Sequence, residues 1–142
     1  MAHPDLDELL NALLPFAQEM LSKQGEFFPF GATMKSDGSI ASAAGDAGGE
    51  HPPSQEVIDL LLSGFRDQAS KGEIKAAGVC LHVRISPPGS GTTDAVCARL
   101  EHSTGETVEV YLPYKKGMFG RLKFGKIFAG PGENQVFDKA AT

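Results

Sequence analysis

Cysteine is scarce in this chain of 142 residues: Cys80 and Cys97 are the only two. That scarcity excludes the dense disulfide framework that staples small secreted domains. Long apolar runs are missing too, and none approaches the roughly 20 residues of a membrane-crossing helix. The opening MAHPDLDELL places acids where a secretory signal would carry a basic region and then an apolar one. These absences lead to the expectation of a cytoplasmic, reduced protein with no membrane partner. Also lacking is any complete catalytic, metal or nucleotide motif. No cysteines or histidines stand at close CxxC or HxxxH spacing. PPGSGTTD (87–94) has the glycines of a phosphate loop but neither its lysine nor a following helix, so it reads as a hairpin loop. No cofactor and no metal is expected, and the balance is against an enzyme.

What is present suits one α+β domain spanning 1–142, with 45–53 as a flexible connector and 130–142 as a loosely ordered tail. Charge is unevenly spread. Residues 1–75 hold 12 acids and 5 bases, whereas 76–142 hold 6 and 8, so a net −5 chain has a slightly basic second half. The acidic total weighs against nucleic acid as a partner.

Apolar periodicity predicts a helix over 5–23, with Asp5 and Glu8 as a capping box and Pro15 as a point of kinking or breakage. Alternation predicts a strand over 26–35, then an SDG turn and a weak return strand near 39–44. A second helix is predicted over 54–71, with Val57, Ile58, Leu61, Leu62 and Phe65 as its buried stripe. Three hairpin-linked strands follow over 76–86, 94–103 and 107–114, and a further strand over 121–129. The expected architecture is two helices on one face of a five- to six-stranded, mostly antiparallel sheet. Its element order, αββαβββ, resembles the profilin-like and roadblock-type small domains. That resemblance concerns order alone and carries no site.

Candidate sites follow from the strand parities. With Val79, Leu81, Val83, Val96, Ala98 and Leu100 turned to the helices, the outer face would gather Cys80, His82, Arg84, Cys97, Arg99, Glu101, Glu109 and Tyr111. The tight STGE turn sets Arg99 opposite Glu109 and Cys97 opposite Tyr111, which predicts a cross-strand Arg99–Glu109 ion pair. His82, Arg99, Glu109 and Tyr111 form the candidate ligand face for a small-molecule or enzymatic alternative. His3, His51 and His102 read as solvated.

In YLPYKKGMFGRLKFGKIF (111–128), Lys115, Lys116, Arg121, Lys123 and Lys126 alternate with aromatics such as Phe119. This stretch offers a docking patch for an acidic protein or a second copy, or alternatively a single-stranded RNA surface. GEFFPF (25–30) adds a second contact candidate. Alternation puts Phe28 and Phe30 in the core and leaves Phe27 exposed beside Pro29 on an edge strand. The leading functional expectation is therefore a non-catalytic, self-associating interaction module.

Overall fold

The computed structural model describes residues 3–44, 54–86, 89 and 91–137, so the connector 45–53 and the tail beyond 137 lie outside the described residues. Helix α1 (Pro4–Gln24) begins two residues earlier than the capping box implied, with His3 in place of Asp5 as its N-cap. The His3 ring caps it by accepting the amide of Asp5 at 3.0 Å, and Pro4 stands where its missing donor costs nothing. Leu6, Leu9, Leu13, Ala17 and Leu21 recur on one face and are all buried. Each buried leucine contributes about 1.5–3 kcal/mol relative to exposure. Pro15 does not break the helix. Both Pro15 and Asn11, whose carbonyl loses its donor, are on the solvent side, where water can serve the freed group.

Strands β1 (Phe30–Lys35) and β2 (Ile40–Ala44) form a hairpin and α2 (Ser54–Ser70) follows. Then come β3 (Ile74–Ile85), β4 (Thr93–His102) and β5 (Thr107–Lys116), and finally the short strands β6 (Leu122–Phe124) and β7 (Phe128–Gly130). The strand order is β2-β1-β3-β4-β5-β6, with β7 also on β5, giving seven strands, slightly more than expected. Every pairing is antiparallel. The α+β class and the order of helices and strands are those read from the sequence.

The helices, however, lie on opposite faces. The α1 core takes Phe30, Ala32, Met34, Ala76, Cys80, Val96, Ala98, Leu100, Val110 and Leu112. The α2 core takes Ala77, Val79, Leu81 and Cys97, together with Val136 and Phe137. The physical reason is in β3, where residues 76–81 are buried at odd and even positions alike. A strand covered on both sides has no polar face, so its parity cannot be read from its apolar residues. The register then pairs Val79 with Arg99 and Cys80 with Ala98, joining the odd positions of both strands on the α2 side.

Two glycines let the layers close. A Cβ at Gly78 would approach Leu13 Cδ1 of α1 to 2.8 Å, and one at Gly31 would approach Phe65 Cζ of α2 to 2.9 Å. β1 lies inside the sheet, not at its margin, and Pro29 precedes its ladder, where a missing donor is harmless. Residues 131–137 are packed rather than loose. Glu101 of β4, itself buried, accepts the amides of Gln135, Val136 and Phe137 at 2.5, 2.6 and 3.3 Å. Arg66 of α2 adds a bond from Nε to the Gln135 carbonyl at 2.6 Å. Together they fasten this strap across the α2 face.

Candidate functional site

The expected outer face does not exist as one surface. His82 and Arg84 belong to the α1 side, while Arg99, Glu101, Glu109 and Tyr111 belong to the α2 side. Within β4 and β5 the predicted register holds, with Arg99 opposite Glu109 and Cys97 opposite Tyr111. The predicted ion pair does not form. Glu109 instead accepts the Tyr111 hydroxyl at 2.7 Å and the Cys97 thiol at 3.8 Å. Arg99 Nε is buried without a protein partner, as is Asn134 Oδ1. The Glu109 carboxylate, then burial, push Tyr111 up to about 12, while burial and then Glu109 push Cys97 up to about 11. Burial likewise raises Cys80. Cys80 and Cys97 are free, on opposite faces, and held as neutral thiols, which makes both poor nucleophiles.

On the α1 side, His82 Nε2 meets Asp94 Oδ1 at 2.9 Å at the end of β3 and β4. These two face a cleft of about 610 Å³ that also touches Arg84, Tyr114 and Lys116. The carboxylate orients the imidazole through Nε2.

A second histidine site was invisible in the sequence. His102 is buried and stacked on His3, with ring centres 4.0 Å apart and planes at 20°. Its Nδ1 accepts the Thr104 amide at 3.1 Å, so Nε2 carries the proton and donates to Asp5 at 2.8 Å. Lys75 stands 3.6 Å from the same carboxylate, and the His3 amide bonds Glu106. His3, Asp5 and His102 are near enough to suggest a metal. Yet nearly parallel rings hold their in-plane lone pairs parallel too, so the two imidazoles cannot converge on one ion. The cluster is a latch that fixes the start of α1 to the β4–β5 turn.

Phe27 is core, only 6% exposed, and meets Phe30 edge-on at 6.1 Å, whereas Phe28 is 39% exposed. Residues 26–29 precede the strand, so alternation does not govern them. Phe27 and Pro29 therefore supply no exposed edge.

The basic stretch makes a hairpin on the outer side of β5. Lys115 faces Lys123 directly across the ladder. A single 3-10 turn (Met118–Gly120) forms the tip, closed by the Gly117 amide on the Arg121 carbonyl at 2.6 Å. Phe119 has φ 63° and ψ 26°, the one positive φ outside glycine among the described residues, a conformation costing about 1–2 kcal/mol. Met118 and Phe119 are 80% and 95% exposed. Leu122 and Phe124 pack back against the α1 core, and Phe128 stacks on Tyr111 at 5.1 Å.

The opposite margin is β2. The Lys35 amide bonds the Ser39 carbonyl, so alternation turns the backbone of Ala41 and Ala43 toward β1 and that of Ile40 and Ser42 outward. Among the described residues no strand pairs on that outer side. An apolar groove of about 290 Å³ runs beside it between α1 and β1–β2, bordered by Phe16, which is 47% exposed and edge-on to Phe30 at 4.8 Å. Weak apolar alternation hid this strand's importance; the signal available was that IASAA carries no charge and no proline.

No protein-family model, no curated protein and no solved structure matches this chain.

Proposed function

We propose that the chain is a non-catalytic protein-interaction module that pairs with a second copy of itself through β2. The observation that carries this reading is the outer ladder of β2, unpaired among the described residues and built from uncharged residues. Proteins blunt exposed edges with lysine, proline, bulges or a covering segment, and an unblunted edge is a template for another strand. Strand β2 can meet its own copy antiparallel across a two-fold axis, the commonest symmetry of soluble oligomers. The apolar groove and Phe16 then offer side-chain contact area beside the shared ladder. A cytoplasmic setting is part of the proposal, since two buried free thiols fit a reducing compartment.

Light scattering after gel filtration tests this. The wild-type chain is expected at twice its 15.0 kDa mass, and Ser42→Pro, which removes an outward donor, as a monomer. A monomeric wild type at high concentration would contradict the reading.

The His82 cleft supports a second reading, a small-molecule site for an anion. Its observation is the Asp94-oriented imidazole beside Arg84 and Lys116. Arg99, Glu109 and Tyr111 are on the other face and take no part. A thermal-shift panel of phosphate and carboxylate metabolites should raise the melting temperature if this reading holds. A shift that persists in His82→Ala would count against it.

A further inference from the structure

We propose that the β5–β6 hairpin is a docking device for an anionic phospholipid surface, with Met118 and Phe119 entering the headgroup–acyl boundary. Three observations point there. Among the described residues Lys115, Lys116, Arg121, Lys123 and Lys126 make no ion pair, although Lys23, Lys71 and Lys75 elsewhere each do. No Asp or Glu occurs between Glu109 and Glu133, so the five cations share a stretch with no counter-charge of its own. Lys115 and Lys123 are even held opposite each other, an arrangement that an external anion would relieve.

The third observation is shape. Met118 and Phe119 stand at the end of a narrow hairpin, with the Phe119 backbone in the left-handed region. Apolar side chains that project from a tip, instead of lining a groove, suit a fluid apolar phase. Cations on both flanking arms would then meet the lipid phosphates, the pattern by which basic–apolar segments lie in an interface. Single-stranded RNA shares the charge but needs open aromatic faces. Here Phe119 is the single open ring of the stretch, too little for a run of stacked bases: Tyr111 and Phe128 stack on each other, while Tyr114 and Phe124 belong to the α1 core and its margin. The anionic leaflet facing the cytoplasm is the surface with matching chemistry. This departs from the sequence expectation of no membrane partner, which considered only a spanning segment.

Co-sedimentation of the full chain with vesicles tests the proposal. Binding to phosphatidylcholine containing about 30 mol % phosphatidylserine should exceed binding to phosphatidylcholine alone by about tenfold or more. It should fall steeply when salt is raised to about 0.5 M, because the charges are exposed. Phe119→Asn keeps a residue that tolerates the left-handed region, and with Met118→Ser it should weaken binding at least about tenfold. An unchanged melting temperature in that double variant would show that the fold is intact. Equal binding to both vesicle types, no binding at low salt, or undiminished binding by the double variant would overturn the proposal. So would capture of an oligouridylate in preference to phosphatidylserine vesicles.

Discussion

The two margins of the sheet are built on opposite principles. At one end, β2 is five residues long and uncharged, and among the described residues nothing pairs with its outer ladder. At the other, β5 is covered by β6 and β7, and its hairpin carries lysines with no ion pair among the described residues and a projecting aromatic tip. Among the described residues the first margin carries no lysine, proline or covering strand, while the second has both lysines and covering strands. A protein needing only solubility would be expected to blunt both. Under the two proposals made above, the margins would have different partners: a second strand for β2, and a surface of opposite charge for the hairpin. Pairing through β2 would leave both cationic hairpins at the far ends of the dimer.

The contrast can be sharpened first by separating the margins from what holds the domain together. Glu101→Gln should give the largest loss, about 1–3 kcal/mol, because one of its two acceptor oxygens becomes a donor facing strap amides. Chemical unfolding would report it. If stability does not change, the strap contributes nothing to the α2 core.

Acid should act on the latch. The hydrogen bond from His102, helped by Lys75 and His3, holds Asp5 below its ordinary 3.8. A depressed folded value means that this contribution is present above 3.8 and is lost as pH falls through the lower folded value. Asp5→Asn should flatten the acid limb of a stability–pH curve; an identical limb would show that other carboxylates govern it.

The next two changes bear on the margins directly. Ser42→Pro should abolish pairing while costing the isolated fold under about 1 kcal/mol, because the amide it removes faces outward. A large fall in melting temperature at a concentration where both chains are monomeric would break the assignment of the open ladder. Lys123→Glu should have the smallest effect on the fold and the opposite sign. Replacing a like-charged cross-strand pair should stabilise by about 0.2–1 kcal/mol while weakening vesicle binding. Such a gain would show that the hairpin's charge is kept against the interest of stability.

Legibility in the sequence followed locality. Both helices were readable because leucines at helical spacing report a single buried face. The β4–β5 register was readable because a short turn fixes which residues meet, as Arg99 and Glu109 do. The faces were not readable, since β3 is apolar on both sides and its parity is settled only by pairing with β4. Phe27 and Phe28 were exchanged because alternation was extended into residues that are not strand. The latch and the strap depended on partners far apart in the chain: His102 finds Asp5 across 97 positions, and Glu101 finds Val136 across 35. No local pattern announces such pairs. The β2 edge was overlooked for the reverse reason, because what matters there is what its side chains do not carry.

Oxidative cross-linking tests the central claim most directly. Cys80 and Cys97 are buried, so a cysteine introduced at one margin would report on that margin alone. Ser42→Cys lies midway along β2, where two antiparallel copies would bring their Cβ atoms to about 4.5–5.5 Å. Ser42→Cys is expected to form a covalent dimer rapidly, and Lys123→Cys on the opposite margin none. Failure of Ser42→Cys to cross-link, or equal cross-linking of the two variants, would contradict the claim.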